Sequence, residues 1–466
     1  MRHATGTYSQ VRLFSRICLL TSGIRQIMTC GWNRKGFRVM GSFRLSVAES
    51  VSRREILTVS GVALILAVYT FLVHPQSPVV VAADQDWYGW YDQGQYVSIA
   101  RILADFALPD GPENYTYGLG YPLLAVLFIW LGFDADPFIV PDILLVSGTV
   151  ALTYVFAVRV SSRAVAALAV LLLLIATPII RLAVEPWSST VSGFCIAAAL
   201  VVATSPRGLT TRNALILGGL SAWAFSARFV DVVPIIAIAL WAAFSSPRGR
   251  RLRMLAVGGG VAFTGFVLVL ITQWVSLGSP FVTPYASHLR PDGVNDQSLG
   301  QYQLGRIGQH FWETFVTGTA NGVPTGVWPL LLASPFLVLA PVGFALVVRR
   351  GVDRGLHITL FSVAVVMGTV YLSFVAGGGQ DLVYRNVRYW LPYFYYGAVL
   401  AAVAICAGYA WMISRSVGGE PATENPAIDR PATTARLSTS DTHHDPLVRD
   451  DPRTFASEKS IDPPSV

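Results

Sequence analysis

The chain has 466 residues, 53% of them hydrophobic and only 13% charged, and its mean hydropathy is +0.52. A soluble protein carries about one quarter charged residues, so this composition belongs to a membrane protein. Roughly 20-residue apolar runs separated by short polar breaks call for helices and exclude the residue-by-residue alternation of a β-barrel. The net charge of +7 reads as arginine in cytoplasmic loops, not as a nucleic-acid surface.

In chain order, residues 1–54 hold ten Arg or Lys and a single acid, Glu49, with no spanning run. They read as a basic, poorly ordered cytoplasmic leader, with a transit peptide or an over-called start as the alternatives. Runs of spanning length follow at about 55–73, 142–160, 164–182, 190–204, 213–228, 230–245, 254–275, 328–348, 356–376 and 390–413. GYPLLAVLFIWLGF at 120–133 would cover only about 21 Å of a hydrocarbon core of about 30 Å. If it does not cross, RVSSR, SPRGLTTR, SPRGRRLR, RRGVDRG and the stretch from SRS onward all face the cytoplasm, as the positive-inside rule expects. The expectation is an all-α polytopic membrane protein with about ten transmembrane helices, both termini inside, and amphipathic interfacial helices in the first external loop. Beyond residue 413 the Pro-, Ser- and Thr-rich composition reads as a disordered cytoplasmic tail, and its His443 and His444 as solvated. Cys195 and Cys406 fall inside apolar runs and Cys18 and Cys30 in the leader, so no disulfide or metal–cysteine framework is implied.

The external pieces are then residues 74–141 and 276–327, with smaller ones around Glu185, around Arg228 to Asp231, and at 377–388. The first contains WYDQGQYVSIARILADF, residues 90–106. As a helix it sets Asp92, Tyr96, Ile99, Leu103 and Phe106 on one face, and pairs Arg101 with Asp105 on the other. Asp92 reads as an N-cap and, without excluding that, as an inward carboxylate whose desolvation raises its pKa and lets it accept a proton. Asp84 and Asp86 just upstream are a possible second acid or a solvated loop. Tyr115, Tyr117 and Tyr121 are bilayer anchors or, for Tyr117 and Tyr121, substrate contacts together with Tyr96. Glu185 either pairs with Arg181 or contacts a substrate. Arg228 and Asp231, at the edge of two spans, form a structural pair unless Arg228 meets substrate. Arg385 and Arg388 end the last external piece as phosphate ligands or as snorkelling anchors. His288 and His310 have no metal spacing.

DQGQYVSIARIL followed by YTYGLGYPLLAVLFIWLG resembles the first external loop of polyprenyl-phosphate-sugar-dependent glycosyltransferases of the C-type membrane fold. That family includes protein O-mannosyltransferases and aminoarabinose transferases. Asp92, Tyr96, Ala100, Arg101 and Pro122 match its pattern; VEPWSSTVSGF (184–194) resembles its acidic external turn and RNVRYWLPYF (385–394) the start of its late span. The family's Glu after the Asp is Gln93 here. The resemblance implies an inverting transfer of a sugar from a polyprenyl-phosphate donor to an acceptor hydroxyl on a glycan, lipid or protein. Asp92 would be general base, and Arg388 and Arg385 would hold the donor phosphate on the extracytoplasmic face of a bacterial plasma membrane. No cofactor is implied; a divalent metal would need Asp84 or Asp86 to supply the carboxylate lost at position 93. The competing reading is a lipid or glycan transporter or flippase, which would need ionisable residues in mid-span or repeated span sets; neither is evident.

Overall fold

The computed structural model describes residues 51–74, 77–79, 91–206, 208–282, 303–320, 323–324, 329–350, 353–373 and 382–417. The leader to residue 50, the tail beyond 417, and Asp84, Asp86 and His288 lie outside the described residues. The chain divides into two units, Met1–Ser416 and Val417–Val466; only the first is described further.

Apart from a two-residue antiparallel pair, Thr319–Ala320 with Val323–Pro324, the described unit is helical. Helix α1 spans Arg53–Val73, α2 Tyr91–Ala104, α3 Pro122–Trp130, α4 Ile139–Val160, α5 Arg163–Ile175, α6 Thr177–Val184 and α7 Ser188–Ala203. Then come α8 Thr211–Ala227, α9 Val232–Ser245, α10 Arg248–Leu277 and the short α11 Ile307–Phe311 and α12 Leu330–Ala333. The last three are α13 Ala340–Arg350, α14 Arg354–Ser373 and α15 Leu382–Val417. Among the described residues, five stretches are long and apolar enough to cross a membrane alone: α1, α4, α10, α14 and Arg388–Ile413 of α15. Three shorter apolar helices lie at Arg163–Ile175, Ser188–Ala203 and Phe229–Ser245. This is the architecture of an integral membrane protein.

Burial ranks these helices. The apolar window of α4 is 78% buried, whereas those of α1 and α10 are buried over only 17% and 6%. Helix α4 therefore forms the centre of the bundle. Helices α1 and α10 turn Leu64, Ile65, Phe263 and Trp274 outward, as lipid-facing helices do. Caps set several helix starts: Ser52 and Glu55 form a capping box on α1, and Ser162 and Thr210 cap α5 and α8. Arg163 Nε donates to Glu55 Oε1 at 2.7 Å, tying the start of α5 to that of α1.

Two expected spans are broken. The run 164–182 ends its first helix at Ile175 and restarts at Thr177. Pro178 stands in the first turn of α6, and a proline has no N–H to carry an uninterrupted helix through that point. Pro329 and Pro335 likewise divide 328–348 into α12, a 3₁₀ turn and α13. The short apolar segment forms only the nine-residue α3, about 14 Å long.

Helix α2 buries Tyr96, Ile99, Ala100, Val97 and Gln93, so the expected inward face is widened by Gln93 and Val97. It ends at Ala104, where Trp130 Nε1 of α3 donates to the Ala104 carbonyl at 3.0 Å. Phe106, expected on the inward face, lies past this end in a left-handed turn (φ 58°), exposed and stacked on Trp130 with ring centroids 5.3 Å apart. Although the Asp105 N–H still bonds to the Arg101 carbonyl at 3.1 Å, the Arg101 guanidinium turns to Asp134, with Nε on Oδ1 at 3.1 Å and Nη2 on the carbonyl at 3.0 Å.

Candidate active site

Four stretches far apart in sequence converge on one cleft: α2, the α6–α7 turn with the start of α7, the α8–α9 turn, and α15 near Arg388. Tyr96, Trp187, Ser188, Ser189, Arg228, Arg388 and Tyr389 line it. Asp92 stands at its edge. It lies inside the first turn of α2 rather than at an N-cap position, so the capping reading gives way. Its carboxylate instead takes Arg388 Nη2 on Oδ2 at 2.6 Å and the Tyr117 hydroxyl on Oδ1. The side chains of Asp92 and Arg388 are 14% and 8% exposed, a pair largely withdrawn from water.

The loop before α3 brings Tyr117 to Asp92. In YTYGLGYP, a Cβ on Gly118 or Gly120 would collide with the backbone or side chain of Ser226 at the end of α8. Gly120 N–H donates to the Ser226 carbonyl at 3.0 Å, and Trp223 Nε1 to the Gly120 carbonyl at 2.9 Å. The glycines thus let the loop lie against α8, two residues before Arg228. Tyr115, Tyr117 and Tyr121 are all buried, which removes their reading as bilayer anchors. Tyr121 donates to both oxygens of the buried Asp142, at 3.1 and 2.9 Å, and its ring stacks on Phe138. It holds α3 to α4 rather than facing the cleft. Burial pushes the Tyr115 phenol up to about 12.

Tyr96 packs between Tyr117 and Tyr121, with ring centroids 4.9 and 5.0 Å away. Its hydroxyl meets Ser188 Oγ at 3.1 Å. Burial first, and then the negative charge of Asp92, hold this phenol far above its ordinary value. Tyr96 therefore enters the cleft as a neutral hydroxyl.

Arg388 lies over the Trp187 ring, 4.2 Å from its centroid, a cation–π contact that fixes the guanidinium plane. Trp187 is oriented in turn by Glu185: its Nε1 donates to Glu185 Oε2 at 2.9 Å, and Glu185 Oε1 meets His74 Nε2 at 3.1 Å. Glu185 is buried and Arg181 is exposed, so the expected Arg181 pair is replaced by His74 and Trp187. Glu185 does not line the cleft. Arg228 does, and the structural pair expected for it is present, Nη1 to Asp231 Oδ2 at 3.0 Å. Its guanidinium also sits 4.7 Å from the Tyr389 ring centroid. Arg385 lies in α15, but its side chain is outside the described residues.

The sequence reading missed Trp187, Ser188, Ser189 and Tyr389 as lining residues. The available signal was their position beside residues already singled out, at 185 and 388. The Ser189 hydroxyl is buried, lines the cleft, and has no hydrogen-bond partner among the described residues. Among those residues no three His, Cys, Asp or Glu gather as a metal site. The arrangement combines a carboxylate with two guanidiniums, neutral hydroxyls and aromatic walls.

No known protein family and no curated protein sequence matches the chain. Among solved structures, it is similar to the crystal structure of ArnT from Cupriavidus metallidurans bound to undecaprenyl phosphate. The TM-score is 0.48 with 13% sequence identity, over 80% of this chain and 67% of that one. A likeness of that degree carries no argument, so function rests on the chain's own residues.

Proposed function

We propose that the protein is a membrane glycosyltransferase that moves a sugar from a polyprenyl-phosphate donor to an acceptor hydroxyl, with inversion and with Asp92 as general base. The observation that carries this reading is the meeting of Asp92 with Arg388 at 2.6 Å beside a cleft that Arg228 also lines. Sugar transfer needs both chemistries together. The acceptor oxygen attacks the anomeric carbon as its proton passes to Asp92, and the bond from that carbon to the phosphate oxygen breaks. The leaving polyprenyl phosphate gains a negative charge, which guanidinium pairs with through two parallel hydrogen bonds. The order of the motifs around Asp92, Trp187 and Arg388, which resembles that of the C-type fold, supports the same assignment.

In this reading about ten helices cross the membrane, α2 and α3 lie at the extracytoplasmic surface, and both termini are cytoplasmic. The alignment of every arginine-rich loop on one side supports that orientation. The donor tail stays in the bilayer, and the acceptor is a glycan, lipid or protein hydroxyl.

The test is transfer of label from radiolabelled polyprenyl-phosphate sugars in membranes carrying wild type or Asp92→Asn. Loss of the base should slow transfer about 10²- to 10⁴-fold while the protein is still inserted and folded. Unchanged transfer by a well-folded Asp92→Asn would remove Asp92 as base. Movement of labelled lipid across the bilayer with no transfer would instead establish a flippase.

A further inference from the structure

Asp92 and Arg388 are assigned separate tasks above, one on the acceptor's proton and the other on the donor's phosphate. The structure joins them. Arg388 lines the cleft, whereas Asp92 does not, and the Arg388 guanidinium closes on Asp92 Oδ2 at 2.6 Å. A carboxylate so paired is a weak base, because the arginine stabilises its charged form. A phosphate held by two parallel hydrogen bonds needs Nη2 on either edge of the guanidinium, and Nη2 already serves Asp92 and the Tyr389 hydroxyl, at 2.6 and 3.1 Å. The two anions compete for one cation.

We infer that the Arg388–Asp92 ion pair is a latch that donor phosphate opens, so that the base is released only when a lipid-phosphate occupies the cleft. The inference rests on the glycosyltransferase reading and adds an order of events to it. With the cleft empty, Arg388 lies on Trp187 and holds Asp92. An incoming phosphodiester beside Arg228, Ser188 and Ser189 draws the guanidinium onto its own oxygens. Asp92 then keeps the Tyr117 hydroxyl as a hydrogen-bond donor, parts from the Arg388 guanidinium, and becomes more basic toward the acceptor's proton. Arg228 is not free to make the same exchange. Its partner Asp231 is held by the hydroxyls of Ser192 at 2.6 Å and Tyr371 at 2.7 Å, so Arg228 stays in place as the fixed cation while Arg388 moves. Donor binding therefore precedes productive acceptor binding, and an acceptor or water meeting the empty site finds a neutralised base.

The experiment measures binding of a polyprenyl monophosphate to detergent-solubilised wild type, Asp92→Asn, Arg388→Gln and the double variant. A latch predicts that Asp92→Asn binds roughly tenfold tighter, the equivalent of one charge-assisted hydrogen bond no longer broken on binding. Arg388→Gln should bind weakly, and adding Asp92→Asn to it should gain nothing. Equal affinity for wild type and Asp92→Asn overturns the latch but leaves the glycosyltransferase reading standing. A gain of the same size in the Arg388→Gln background also overturns it, because simple repulsion between Asp92 and phosphate would then suffice. Absence of binding by every form, wild type included, removes the donor assignment itself. Should the variants fail to fold, wild type still decides: carbodiimide labelling of Asp92, followed by peptide mass spectrometry, should rise several-fold when polyprenyl monophosphate is added. Labelling that stays level or falls overturns the latch.

Discussion

Two Asp–Arg pairs of the same chemistry, each giving its arginine to the lining of the cleft, stand in different surroundings. Arg228 and Asp231 are three residues apart, on either side of a 3₁₀ turn, and their pair closes at 3.0 Å within one stretch of chain. Asp231 is 1% exposed and takes further hydrogen bonds from Ser192 of α7 and Tyr371 of α14. Arg388 and Asp92 lie far apart in sequence; Asp92 is more exposed than Asp231, at 14% against 1%, and takes the Tyr117 hydroxyl beside the guanidinium. Because breaking a buried pair strands a charge, its cost grows with burial and with the number of partners left behind. The first pair is thus built to stay closed, clamping α7, the α8–α9 turn and α14 together. The second can be traded for another anion. Identical residue types serve as scaffold in one place and as machinery in the other.

The largest expected effect that would break this contrast is on stability. Asp231→Ala leaves the Arg228 charge and two hydroxyls unmatched in the interior, and should destabilise the protein by about 3–5 kcal/mol, read as a marked fall in melting temperature in detergent. A melting temperature equal to that of wild type would mean that the two pairs do not differ as described. A smaller effect should come from Tyr117→Phe, which removes the hydroxyl on Asp92 and keeps the ring packed against Tyr96. The hydroxyl fixes where the carboxylate points, and losing a hydrogen bond to a charged group, worth about 1.5 kcal/mol, costs that positioning and should slow transfer roughly tenfold. It should appear in kcat with donor KM little changed; a change confined to donor KM would place Tyr117 on the donor instead.

The smallest effect concerns an acid with neither kind of support. Asp136, in the turn between α3 and α4, has one carboxylate oxygen buried without a hydrogen-bond partner among the described residues, and burial raises its pKa above the usual 3.8. For a carboxyl raised in the folded state, the contribution to stability is full below the unfolded pKa and is lost as pH rises through the folded value. Asp136→Asn should therefore melt slightly higher than wild type at pH 7, with the gap closing as pH falls toward 3.8. A gap that widens on acidification would show that the charge is stabilised by something else.

Much of this organisation is legible in the residues alone. Apolar runs and arginine-rich loops identify a helical membrane protein, because hydrocarbon thickness and backbone hydrogen bonding leave few alternatives. Helical periodicity put Asp92 and Tyr96 on one face of α2, and both are at the site. The local pair Arg228–Asp231 was readable for the same reason: three residues of helical or 3₁₀ chain bring two side chains together whatever the rest of the fold does. Contacts across long stretches of sequence were not readable. Arg101 bonds Asp134 rather than Asp105, and Glu185 takes His74 and Trp187 rather than Arg181, because those partners are supplied by packing. The union of Asp92 with Arg388 is of this kind. Sequence named both residues by chemical type and by position near helix ends. Only the tertiary structure, by laying α15 beside α2 and the glycine-bearing loop against α8, placed the guanidinium on the carboxylate, since no local rule relates residues so far apart along the chain.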